Sequence, residues 1–319
     1  MITLREQLSF QRFSKIYAEK TKRLIVFCGA GASFEAGLPN WDDLIGQLTS
    51  TYLSVANSSL GAKLSEEIAL QIRYLPDNWY RMSRLKELMD AQYEQCIRNL
   101  LTPKSDKLPI FYKKIWDLEP HALLSFNLDN LANTSYVQRK LGVLQNHLSG
   151  IDAPNSRVGL GDGRPLIVDL HGNIDRPSTW ILTKEDRDKL TSARPYIEFL
   201  KSMFTHNLVL FYGVSVEDFT VSGQLGYLRE VDFVTGDYFI LKRSPDNNDH
   251  HVARSLPLNF IYMGEDHSWE AGFSNFVQTV KGQISQDSVA DPIVSSLDPL
   301  GEIPLPEEMV KLAPDVIRQ

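Results

Sequence analysis

Six short, nearly continuous apolar runs constrain this chain more than any other feature: residues 24–28, 122–126, 166–170, 208–212, 238–241 and 260–263. A strand with one wet face alternates apolar and polar positions, whereas a strand covered on both faces has no need to. Helical patterns lie between many of these runs, including 197–204, 216–231 and 269–280. Buried strands alternating with helices predict an α/β fold, an open and mostly parallel six-stranded sheet with helices on both faces.

Two stretches break the alternation. Residues 42–117 are too long for one crossover and contain several helical patterns, such as EEIALQIRYL and RMSRLKELMDAQYEQCIRNLL, so they predict a helical insertion subdomain. Residues 145–164, rich in Gly, Pro, Asn and Asp, predict a loop. Residues 1–285 then form the main domain. Beyond them, 286–319 scatter prolines among polar and acidic residues, which suits an extended tail, a linker or a docking arm, and suits one module of something longer.

Composition bears on the class of partner. A net charge of -7 opposes nucleic-acid binding by bulk electrostatics, so no direct nucleic-acid partner is expected. No window approaches 18 consecutive apolar residues and the amino terminus has no signal-peptide core, which predicts a cytoplasmic protein without a membrane partner. The two cysteines, Cys28 and Cys96, cannot build a four-cysteine zinc module. The histidine pairs His250/His251 and His121/His147 have nothing nearby in sequence to complete a metal site, so no metal is expected.

The first apolar run ends in RLIVFCGAGASFEAGLPNW. A strand followed by Gly-Ala-Gly reads as a strand-to-helix turn in which Gly29 takes unusual backbone angles and Gly31 lets the main chain approach a ligand. Ser33 then caps the next turn or donates to a phosphate at a helix N-terminus. A tight turn without any ligand explains the same residues. The dehydrogenase fingerprint fails, because Phe34 stands where its third glycine belongs and no acidic residue closes a second strand about 20 positions on. Instead Asn40 precedes Trp41, Asp42 and Asp43, a cap and an acidic first helical turn.

Other strand ends carry polar residues as well: Asn127 and Asp129 in LLSFNLDN, His171 in LIVDLHGN, and Gly213, Ser215 and Asp218 in FYGVSVEDF. Each has a structural reading as a turn, a cap or a core histidine. Strand C-termini line the ligand crevice of an open α/β sheet, however, so Gly31, Asn127 and His171 are expected to share one cleft.

In this order GAGAS, GLP-x-W, SFNLD, LHGN and FYGVSVED resemble the sirtuin superfamily, and more closely the SIR2-like NADase domains of bacterial anti-phage defence proteins. The resemblance covers roughly residues 20–282. It implies a Rossmann-like fold that binds NAD+ and cleaves nicotinamide from ribose. It places the diphosphate on Gly29, Ala30, Gly31 and Ser33, and Pro39 and Trp41 in a loop over the nicotinamide ribose. It makes Asn127, with Asp129 nearby, the residue that orients ribose hydroxyls or a water. His171 becomes the general base, and Gly213 and Ser215 hold the adenosine half.

The chain departs from that pattern in two ways. Protein deacylases of the superfamily carry the four-cysteine zinc module excluded above, and their Thr-Gln-Asn-Ile-Asp is here Ser125-Phe126-Asn127-Leu128-Asp129. Both departures shift the acceptor from a protein amide to water, which implies an NAD+ hydrolase with NAD+ as substrate and no metal. The alternatives are an NAD-dependent deacylase or ADP-ribosyltransferase and, from another class, a non-catalytic NAD or ADP-ribose sensor. The resemblance further implies an abortive-infection effector that forms a homo-oligomer and answers to a sensor, such as an ATPase, an Argonaute or a STAND-type protein, fused or separately encoded.

Overall fold

In the computed structural model every residue of β1 (Leu24–Cys28) is buried, as a run with no polar position requires. Successive side chains of a strand point to opposite faces, and here both faces are covered. Leu24, Val26 and Cys28 enter one core with Phe10, Phe111 and Phe273, while Ile25 and Phe27 enter the other with Phe199, Met203 and Phe204. The structure describes residues 3–139, 146–153, 164–215, 236–247, 249, 257–264 and 268–287.

Six further strands complete the sheet: β2 (Ala122–Ser125), β3 (Asn146–Ser149), β4 (Leu166–Asp169), β5 (Leu208–Tyr212), β6 (Asp237–Lys242) and β7 (Leu258–Tyr262). Their order is β3-β4-β2-β1-β5-β6-β7, and every neighbouring pair is parallel. The chain order reverses between β1 and β5, which places the ligand crevice of such a sheet outside the carboxyl ends of those two strands. All six expected strands form, and the count is corrected to seven. The additional strand, β3, lies inside the stretch expected to be loop and pairs with β4 from Asn146↔Leu166 to Ser149↔Asp169. With Leu148 its one apolar residue, an edge strand of sequence NHLS carries no periodic signal.

The face that receives Val26 is covered by α1 (Leu8–Glu19), α6 (Ile110–Lys114), α7 (Leu131–Gln138) and α10 (Trp269–Asp287); the opposite face is covered by α8 (Lys184–Ser192) and α9 (Arg194–Phe204). Between β1 and β2 run α2 (Trp41–Leu60), α3 (Ala62–Arg73), α4 (Asn78–Met89) and α5 (Gln92–Leu101). These four build a core of their own from residues such as Leu48, Met82, Leu85 and Ile97. Leu128, Trp180 and Leu182 also enter it, so the inserted helices pack on the turns that leave β2 and β4.

Met1–Lys281 is one compact unit; of the second, Gly282–Gln319, the described part is the end of α10. The helix expected over 216–231 and the tail 286–319 lie outside the described residues. Among the described residues no helix is long and apolar enough to cross a membrane.

Candidate functional site

The turns leaving β1 and β5 interlock. The Gly29 N–H donates to the Tyr212 carbonyl at 3.0 Å and the Gly31 N–H to the Gly213 carbonyl at 2.9 Å. A Cβ on Gly31 would stand 2.7 Å from the Gly213 Cα, and one on Gly213, whose φ is +68°, would stand 2.4 Å from the Ala32 nitrogen. These glycines therefore bring two backbones together at the switch point, a packing reason for Gly31 beside the expectation that it lets the main chain approach a ligand. No α-helix starts at Ser33 either. Two 3-10 turns, Ala30–Ala32 and Phe34–Ala36, follow instead, and the Ala32 and Ser33 N–H groups are taken by the Gly29 and Ala30 carbonyls. The helix begins at Trp41, where the Asn40 side-chain oxygen accepts from the Asp43 N–H at 2.9 Å.

Two cavities flank this turn. The larger, about 660 Å³, is lined by Ala30, Gly31, Gly213 and Ser215 with Phe34, Lys242, Arg243 and Trp269 among others, and lies in the range of preformed small-molecule sites. The smaller is lined by Ala30, Ser33, Pro39, Trp41, Asn127 and Asp129 among others; at about 40 Å³ it is of the size of a water molecule. Ala30 and Asn40 border both, so the two spaces adjoin.

A buried polar network forms the wall of the small cavity. The Asn127 Nδ2 donates to the Gly29 carbonyl and to the Ser33 Oγ, both at 2.9 Å, and to the Tyr112 hydroxyl at 3.4 Å. None of these bonds uses Oδ1, the acceptor end of the amide. The Ser33 Oγ in turn donates to Asp129 Oδ2 at 2.7 Å, and Asp129 Oδ1 accepts the Leu131 N–H at 3.0 Å. Burial pushes the Asp129 carboxyl up to about 6 against the opposing pull of those two hydrogen bonds, and the Asp169 charge adds to the rise. Ser33 and Asp129 thus engage the loop that carries Asn127.

His171 is 1% exposed and lines neither cavity. Its ring meets Trp79 edge-on at 5.6 Å and lies 5.4 Å from Phe126. Trp41 packs on Trp79 at 5.5 Å, and the Arg187 guanidinium lies over the Trp79 ring. Burial lowers the His171 pKa to about 4, partly offset by a backbone hydrogen bond at Phe126, so the imidazole is neutral near pH 7. Gly172 turns the chain beside it at a φ of +92°, where a Cβ would lie 2.1 Å from the Thr179 carbonyl. The residues that depart from the sirtuin pattern are packing residues here. Phe126 stacks on Phe27 and faces His171, and Leu128 enters the core of the inserted helices.

Several partners in this network carry no mark in the sequence. Tyr112, from α6, joins Ser33 and Asn127 although nothing in its helical pattern marks it. Asp169 is 1% exposed at the end of β4, where its Oδ2 meets the His147 Nε2 at 2.7 Å and accepts from Asn173 Nδ2 at 2.8 Å. A carboxylate closing the apolar run LIVD was the available signal for it. Among the described residues no group of three or more His, Cys, Asp or Glu is placed to hold a metal ion. Asp218 and the His250/His251 pair lie outside the described residues.

Residues 121–261 match the family model described as SIR2-like domain, a span that contains Asn127, Asp129, His171, Gly213 and Ser215. Among solved structures, one of SIR2 with an inhibitor, 2'-O-acetyl-ADP-ribose and a deacetylated peptide is 12% identical, with a TM-score of 0.40, over 88% of this chain and 100% of that one. A Sir2 homolog–NAD complex is likewise 12% identical with a TM-score of 0.40, over 86% of this chain and 94% of that one. No curated protein gives a significant match. By that match, residues 121–261 are similar to a SIR2-like domain.

Proposed function

We propose that this domain binds NAD+ across the crevice between β1 and β5 and hydrolyses it to nicotinamide and ADP-ribose. The observation that carries the reading is the Asn127 amide, pinned through Nδ2 to Gly29 and Ser33 at the switch point with Oδ1 left to accept from a ribose hydroxyl or a water. The pyridinium charge of NAD+ already activates the glycosidic bond, so nicotinamide leaves with the bonding electron pair and needs no acid. Water supplies the new C–O bond, and its proton passes to neutral His171. Ala30, Gly31, Gly213 and Ser215 offer the nucleotide half a cavity of matching size. The absence of a four-cysteine set and the packing roles of Phe126 and Leu128 favour water over a peptide as acceptor.

The reacting half of the site is closed. A space of about 40 Å³ does not admit a nicotinamide ribose, and His171 is sealed beneath Trp79 and Phe126. Turnover therefore requires the inserted helices and the Pro39–Trp41 segment to shift, which fits an effector gated by self-association or by a partner. We assign the partner's docking to the inserted helices or the 286–319 tail, and the role to anti-phage abortive infection in the cytoplasm. The assay is nicotinamide and ADP-ribose release without an acylated peptide, with Asn127→Ala and His171→Ala beside the parent. Each variant is expected to lose about 10² to 10⁴ in rate while keeping its fold. Near-parental cleavage by either variant refutes its assigned role, and cleavage that requires an acylated peptide identifies a deacylase instead.

A further inference from the structure

Most of the large aromatic side chains of the described residues are buried in the cores, yet two of the exposed ones border one space. Phe34 is 67% exposed and Trp269 is 37% exposed, and both line the cavity of about 660 Å³ beside Gly31, Gly213 and Ser215. They come from elements far apart in sequence, the 3-10 turn after β1 and the first turn of α10.

Their neighbours hold them in place. Trp269 stands edge-on to Tyr212 at 5.7 Å, and Tyr212, the last residue of β5, stacks on Phe111 at 4.4 Å. On the other side, Glu35 follows Phe34 and accepts the Ile110 N–H at 2.8 Å. The turn that carries Phe34 is thus tied to the start of α6, and the helix that carries Trp269 to the end of β5. Two exposed aromatic rings bordering one open space suit a planar π-system, because stacking needs area but no hydrogen-bond code.

Resting on the proposed function, we infer that Phe34 and Trp269 clamp the adenine base of the dinucleotide, so that the nucleotide is anchored at its adenine end while the ribose end is still closed. The clamp acts on adenosine diphosphates in general and adds nothing to the affinity for a nicotinamide mononucleotide.

The test is calorimetric titration of ADP-ribose and of nicotinamide mononucleotide into the full chain and into Trp269→Ala, Trp269→Phe and Phe34→Ala. Stacking is worth about 1–3 kcal/mol per base on alanine substitution, so each alanine variant is expected to bind ADP-ribose about 5- to 100-fold more weakly. Trp269→Phe should keep most of the affinity. Because Phe34 is largely exposed, its removal reads out binding even if Trp269→Ala loosens α10. Unchanged ADP-ribose affinity in Phe34→Ala and in folded Trp269→Ala overturns the clamp and leaves the proposed function standing. A full chain that does not bind ADP-ribose at all overturns both.

Discussion

Burial acts on Asp129 and His171 with opposite sign. The Asp129 carboxyl is pushed from its ordinary value of 3.8 up to about 6, so the folded state holds that proton more tightly than the unfolded chain does. Its contribution favours folding below about pH 4 and is lost as the pH rises through about 6. The His171 imidazole is lowered from 6.5 to about 4, so its contribution is present above about 6.5 and is lost as the pH falls through about 4. The two slopes oppose each other across the same window. Asp129→Asn keeps an oxygen for the Leu131 N–H and turns a donor to the Ser33 Oγ, and it removes one slope. Urea unfolding of that variant is expected to show stability rising from pH 4 to 6.5, by an amount on the order of 3 kcal/mol relative to the parent. Parallel profiles for parent and variant would show that Asp129 titrates normally.

At the level of elements, the turns are more constrained than the strands they join. Gly172→Ala would place a Cβ 2.1 Å from the Thr179 carbonyl at a φ that side chains avoid. It is expected to lower stability by about 2–4 kcal/mol in denaturant unfolding and to displace His171. An unchanged midpoint would exclude this turn in solution. Strands of continuous apolar residues such as LIVFC and LVLFY were legible in the sequence, because burial on both faces leaves the same mark in any fold. The edge strand NHLS was not, since its pairing with β4 is specified by the partner strand and by His147 meeting Asp169. Asn127 was legible as a polar residue at a strand end, whereas Tyr112 and Trp79 reach the site from helices whose sequence reports their amphipathic packing and not what their tips touch.

Across the whole molecule, a cavity of about 660 Å³ adjoins one of about 40 Å³, so on the proposed function binding and turnover should separate experimentally. The resting protein is expected to bind ADP-ribose at any concentration, while NAD+ cleavage per molecule rises with protein concentration or on adding a partner. A specific activity that stays constant from nanomolar to micromolar protein would remove self-association as the gate. The sheet order has its own consequence. β1 stands at the centre, and one of its two neighbours, β5, is made only when the ribosome reaches residues 208–212. The contact between Gly31 and Gly213 thus waits for most of the domain to be synthesised. A nascent chain or an abortive translation product that stops short of β5 has no crevice, whatever its first turn contains, and stays inert towards the crevice's ligands.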